Sequence, residues 1–278
     1  MVERRTENPS VGGSSPFLNN ILTFFVMFLT SPLEQFQILP LIHIRFGTID
    51  ISFTNANLII LIALIAYFLM VGMLLSSKGS FYLVPSRWQI VVETFYETIS
   101  NMLADNLGIR GQQYFPFVYV LFMFVLLSNL IGLIPYSFTL TSHLIVTFAL
   151  ALMVFVGVNK ICWSEHGIHM ASLCLPPGTS LGLALLLVPI EFVSYLFKPI
   201  SLGVRLFANM MAGHTLLKVI AGFAWSMMAS GGLLFIAHLL PLAVLVLLVG
   251  LELGVALIQA YVFTILTCIY LNDAVTLH

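Results

Sequence analysis

Two stretches of this chain, residues 181–224 and 233–271, stay apolar for about twice the ~20 residues that a helix needs to cross a ~30 Å hydrocarbon core. A single helix of about 40 residues, rising ~1.5 Å per residue, would reach ~60 Å. It stays within a bilayer only by lying steeply over or by doubling back. Doubling back needs an internal cluster of Gly, Asn and Pro, which neither stretch contains. Pro189, Pro199 and Pro241 are isolated, and isolated prolines bend a helix rather than end it. The expectation is two long, tilted helices joined by the small-residue turn Ser230, Gly231 and Gly232.

Shorter runs complete the pattern. Residues 58–75 form an uncharged first span, 115–135 the second and 141–158 the third, with IPYSFTLT as the tight turn between the last two. Residues 17–29 are apolar but too short to cross, which suits an interfacial or buried helix. The fold class is therefore all-α, a polytopic membrane protein with about five membrane helices. Composition agrees, since 60% of the 278 residues are hydrophobic and only 8% charged, against about 25% charged in soluble domains. A net charge of −1 favours neither nucleic acid nor an anionic surface as partner. Cys162, Cys174 and Cys268 are odd in number and far apart, which reads as buried free thiols rather than a disulfide or zinc site. Residues 1–30 lack the signal-peptide pattern and form a polar extension, disordered or removed, ahead of a single membrane domain at 31–278.

Residues 86–107 differ in kind. Ser86 and Gln89 form a capping box, after which Trp88, Val91, Phe95, Ile99 and Met102 recur at helical spacing with Glu93, Glu97 and Asp105 opposite. That is an amphipathic helix lying in the membrane surface. Lys78, Arg87, Arg110 and Lys160 fall in two loops on one side of the membrane, whereas the short loops opposite carry no Lys or Arg. The positive-inside rule places those loops and the C-terminus on the matrix or cytoplasmic side, and the N-terminus, with Arg4, Arg5 and Arg45, on the other.

Charges inside the long helices are functional candidates by default, because lipid makes them costly. Arg205 has no Asp or Glu anywhere between Glu191 and Glu252, an interval that also holds Lys198 and Lys218. On a helical projection Glu191, Lys198, Arg205 and Asn209 lie within about 40° of one line, a polar stripe along one face. Glu252 and Gln259 repeat this on the last helix, seven residues apart. His214, nine residues past Arg205, points to another side and reaches a different neighbour.

Plainer readings stand beside these. Lys198 can snorkel or bind lipid phosphate. His238 and His143 fit hydrogen-bonded structural histidines. His166 and His169 have a metal-like spacing but no third ligand, so no metal is expected. Glu252 sits between Gly250 and Gly254, a GxxxG that could serve only close helix contact. Arg205 could hold a permanent ion pair with Glu191 or Glu252. The alternative is a counter-charge borrowed from a second protein. A guanidinium keeps its proton, so it relays none, but it holds a nearby carboxylate ionised and blocks proton hopping past itself.

KPISLGVRLFANMMAGH closely resembles the signature of subunit a of the F-type ATP synthases. The likeness extends through SPLEQFQI near Ser31, SNLIGLIPY at Ser128, VPIEFVSYLFKP and LELGVALIQAYVFTILTCIYL, covering about residues 31–278. The resemblance implies a proton-translocating stator subunit of the Fo sector in the mitochondrial inner membrane. Its partners would be the c-ring, other stator and Fo subunits, and lipid, with protons as the transported ion. Arg205 would be the essential arginine facing the c-ring carboxylate. Glu191 would match the acid of the matrix-side half-channel. Asn209, His214, Glu252 and Gln259 would match polar groups of the intermembrane-side half-channel or of the arginine's support. Many bacterial members carry an acid where His214 stands and a histidine where Glu252 stands, an exchange that preserves the pair if the two are neighbours.

No cofactor is expected, and the chain is expected to be non-catalytic by itself, since it has no GxxxxGK[ST] phosphate loop. The absence of an obvious oxygen cage favours protons over sodium. A secondary transporter or respiratory pump would show internal repeats and more paired intramembrane charges. A purely structural anchor leaves Arg205, Glu191, His214 and Glu252 unexplained together.

Overall fold

A computed structural model describes residues 34–46, 49–50, 52–75, 87–134, 137–167, 181–230 and 236–276. Six helices dominate: α1 (Asn55–Leu75), α2 (Arg87–Leu107), α3 (Phe115–Gly132), α4 (Leu144–His166), α5 (Leu181–Ser230) and α6 (Leu239–Val275). All but α2 are long and apolar enough to cross a membrane. The expected polar extension, the 17–29 helix, Ser86 of the capping box, His169, Cys174, and Gly231 and Gly232 lie outside the described residues.

The two long runs form helices of 50 and 37 residues, α5 continuing through both Pro189 and Pro199. At ~1.5 Å per residue they measure ~75 Å and ~55 Å, so both must tilt strongly to stay in a bilayer. Pro241 lies in the first turn of α6, where its missing N–H has no intrahelical acceptor to lose. The third span differs from expectation at both of its ends. Residues Leu140–Ser142 form a 3₁₀ turn with Ser142 Oγ donating to the Thr139 carbonyl at 2.6 Å, and α4 starts only after it. The same helix then runs on to His166, so Lys160 belongs to helix rather than loop.

Short antiparallel strands precede α1: β1 (Pro40–Ile42) pairs with β4 (Phe53–Thr54), and β2 (Arg45–Phe46) with β3 (Ile49–Asp50). This small hairpin was not foreseen in an all-α chain. Asn55, the first residue of α1, ties it down, its Nδ2 donating to the Gln37 carbonyl at 3.0 Å and its N–H to the Leu39 carbonyl at 3.1 Å.

The core lies where α2, α3, α4, α5 and α6 converge. Ile99, Val118, Ala151, Leu206, Phe263 and Leu271 are fully buried there. The outward faces remain apolar, with Ile145 76% and Leu240 75% exposed, as a surface bathed by lipid requires. Close crossing of α4 and α5 depends on Gly203, where a Cβ would stand 3.1 Å from the Thr147 carbonyl oxygen and from Phe148 Cα. The α2 stripe is only half buried. Ile99 and Met102 pack in the core, whereas Trp88 is 61% and Val91 39% exposed.

Candidate functional site in the seam between α5 and α6

Helices α5 and α6 pack against each other, and side-chain pairs mark their course. Lys198 Nζ lies 3.1 Å from Asp273 Oδ2. Asn209 Nδ2 donates to Gln259 Oε1 at 2.8 Å. His214 Nδ1 lies 3.4 Å from Glu252 Oε1. Positions rise along α5 as they fall along α6, so the helices are antiparallel. The stretch of α6 between Gln259 and Asp273 contains no acid, and Ala260, Phe263, Thr264 and Thr267 within it are fully buried.

Arg205 falls between the first two of those pairs. It is exposed, while Leu202, Leu206 and Met210 on the adjoining face of α5 are buried. Among the described residues no carboxylate stands within ion-pair distance of it, so a permanent pair with Glu191 or Glu252 is not formed. Glu191 is also exposed, 14 residues earlier on the same helix and so ~21 Å along its axis. The structure does not bring Glu191 together with the other candidates.

The His214–Glu252 pair is enclosed, with side chains only 12% and 5% exposed. Its separation fits an ion pair when the imidazole is protonated, and exceeds the ~2.7–2.9 Å of a well-formed charge-assisted hydrogen bond. Gly213 makes room for it, because a Cβ there would stand 2.8 Å from Glu252 Oε1. Gly250 and Gly254, by contrast, have nothing within 4 Å. Among the described residues that GxxxG makes no close helix contact; on α5 the tight approaches to a facing helix are at Gly203 and Gly213.

Several partners had no sequence signal. Asp273 holds Lys198, whose ammonium also lies 5.6 Å and 5.1 Å from the ring centroids of Tyr195 and Tyr270. Lys198 therefore has a protein partner rather than only lipid. The Tyr195 hydroxyl donates to Asn159 Oδ1 on α4. Asn129, fully buried on α3, donates through Nδ2 to the Ala256 carbonyl at 3.4 Å, midway between Glu252 and Gln259. The His166 ring nitrogen Nε2 lies 3.2 Å from the Val275 carbonyl oxygen at the end of α6, and no metal cluster occurs among the described residues. His143 stacks on Phe138 with centroids 4.8 Å apart, but among the described residues its buried Nε2 meets no hydrogen-bond partner, so the expected hydrogen-bonded placement is not found at that atom. His238 stands at the start of α6.

Fold and site together define a polytopic, all-helical membrane protein whose two longest helices share a polar seam and leave one arginine open on the surface. Residues 57–272 match the model of the ATP synthase A chain family. The chain is 60% identical over 250 residues to ATP synthase subunit a of Pylaiella littoralis, covering 89% of this chain and 99% of that one. It is 48% identical over 251 residues to subunit a of Marchantia polymorpha, with 89% and 99% covered. The subunit a of Paramagnetospirillum magneticum is 47% identical over 253 residues, with 90% and 100% covered. The chain belongs to the ATP synthase A chain family, whose members are polytopic membrane proteins, and it is a proton-translocating subunit of the Fo sector.

Proposed function

We propose that this subunit forms two offset half-channels, to and from a carboxylate on a rotating c-ring, with Arg205 as the fixed cation between them. The observation that carries this reading is the exposed guanidinium with no carboxylate beside it among the described residues, while Glu252 and Asp273 are engaged with His214 and Lys198. At ~4 Å and an effective dielectric of ~20, a guanidinium attracts a carboxylate by about 4 kcal/mol, about three pKa units. A ring carboxylate neutral in lipid therefore ionises on reaching Arg205. It gives up its proton on one side and takes another on the far side.

His214, Glu252, Asn209 and Gln259 serve the intermembrane-side path, and Glu191 serves the matrix side. A proton leaves only after its carrier has travelled round the ring, and this couples flow to rotation. The subunit is non-catalytic by itself and resides in the mitochondrial inner membrane with the c-ring, other stator subunits and lipid as partners. Its N-terminus faces the intermembrane space and its C-terminus the matrix. The basic residues near the matrix-side ends of the spans support that orientation.

Replacement of Arg205 by Ala tests the reading in inner-membrane vesicles. ATP-linked proton transport is abolished while the complex still assembles, and retained coupled transport rejects the mechanism. Arg205→Lys also fails, because a compact ammonium does not reproduce the planar fork of donors.

A further inference from the structure

We infer that Phe36, in a 3₁₀ turn ahead of the first membrane helix, is a positioning residue that holds the His214 ring toward Glu252. The inference rests on the proton-path reading above and adds a wall to it from a part of the chain that the family match, residues 57–272, does not include.

The turn Glu34–Phe36 leads into an exposed segment in which Ile38, Leu39, Leu41 and Ile42 are each more than half exposed. Phe36 alone in residues 36–44 is buried, at 8% exposure. Its ring centroid lies 6.5 Å from that of His214 with the planes inclined at 64°, an edge-on contact. That geometry is within the range aromatic pairs prefer. The segment is also fixed from behind. Asn55 at the head of α1 donates to the Gln37 and Leu39 carbonyls and accepts from the Leu39 N–H at 3.3 Å, one to three residues from Phe36.

His214 needs such a wall. The outer torsion of a histidine is broad and roughly two-fold, so its own helix does not fix which way the ring faces. On one side stands Glu252, 3.4 Å from Nδ1, and Lys218 lies one turn further along α5. Among the described residues the buried Nε2 atom has no hydrogen-bond partner, so no such bond on that side orients the imidazole. Phe36 supplies the remaining constraint. A ring free to swing would break the approach of Nδ1 to the carboxylate through which a proton must pass.

The test uses assembled ATP synthase in inner-membrane vesicles, with ATP-driven proton pumping and passive conduction after removal of the catalytic head as the two rates. Phe36→Leu keeps bulk and apolarity but has no ring, and lowers both rates roughly three- to tenfold, as expected when a transfer geometry loosens. Phe36→Tyr keeps the ring and restores most of the loss. Adding Phe36→Leu to His214→Ala lowers the rates no further, because both changes act through one imidazole. Normal rates in Phe36→Leu, or losses that multiply in the double variant, overturn the inference. Arg205→Ala in the same vesicles reports separately on the proton-path reading. Coupled pumping that survives it rejects that reading and leaves the Phe36–His214 cycle to be judged on its own result.

Discussion

The carboxylate of Glu252 lies against the bare backbone of Gly213 on the facing helix, so close that a methyl group there would stand 2.8 Å from Oε1 and 3.2 Å from Cδ. The atoms in the way are the far end of a flexible side chain and not backbone. Gly213→Ala therefore folds and assembles, and Glu252 swings aside, away from His214. The expected result is a normal complement of subunit in the membrane with proton transport reduced several-fold. Undiminished transport in this variant means that the 3.4 Å approach of Glu252 to His214 is not used.

The same pair supports an exchange experiment. His214→Glu sets two acids face to face in an enclosed site, and Glu252→His sets two imidazoles there. Making both changes together restores one acid and one base. The double variant retains more ATP-linked transport than either single variant, and losses that simply multiply show that the two do not act as a unit.

Glycines elsewhere in the helices separate into tight and open positions. At Gly203 an added Cβ meets the Thr147 carbonyl oxygen and Phe148 Cα at 3.1 Å, and backbone atoms cannot step aside. Gly203→Ala pushes α4 and α5 apart and costs about 1–3 kcal/mol, read as a lower thermal midpoint of the detergent-solubilised complex. Gly250 and Gly254 have nothing within 4 Å. Alanine at either leaves the stability of the subunit unchanged or raises it by up to ~1 kcal/mol through helix propensity. A fall of the midpoint at Gly250 comparable to that at Gly203 contradicts this packing.

The pair of Lys198 and Asp273 is half open, with side chains 31% and 46% exposed. Such pairs contribute about 1 kcal/mol at most, and salt screens them. Asp273→Asn leaves the ammonium over the rings of Tyr195 and Tyr270, 5.6 Å and 5.1 Å from their centroids, so the charge is not stranded. The thermal midpoint of the complex falls slightly at low ionic strength and the difference vanishes in high salt. A large, salt-independent loss indicates a role beyond pairing.

Much of this molecule is dictated by local pattern. Uninterrupted apolar length makes α1, α3, α4, α5 and α6 candidate membrane helices, because the bilayer accepts only backbones whose hydrogen bonds close within the segment. The spacing of Arg205 and Asn209 puts both on one face of α5, since 3.6 residues per turn is a property of one helix alone. The polar interruptions in apolar sequence likewise mark His214, Glu252 and Gln259 as costly residues that need partners.

Which partner each one meets is a property of how helices cross, and no spacing within a helix encodes it. Lys198 and Asp273 are 75 residues apart, and Asn129 and Ala256 are 127 apart. Their contacts depend on the register and angle at which α3, α5 and α6 pack. In the sequence, close approach at Gly250 and Gly254 stands as the plainer reading of that stretch, because any GxxxG leaves a groove. The fold places it at Gly203 and Gly213, where a facing backbone and a carboxylate fill the space. Likewise the periodic stripe of α2 states which residues are apolar. Only the packing of the other helices decides that Ile99 is covered while Trp88 is 61% exposed. Helical periodicity determines what each surface is made of, and tertiary packing determines what it touches.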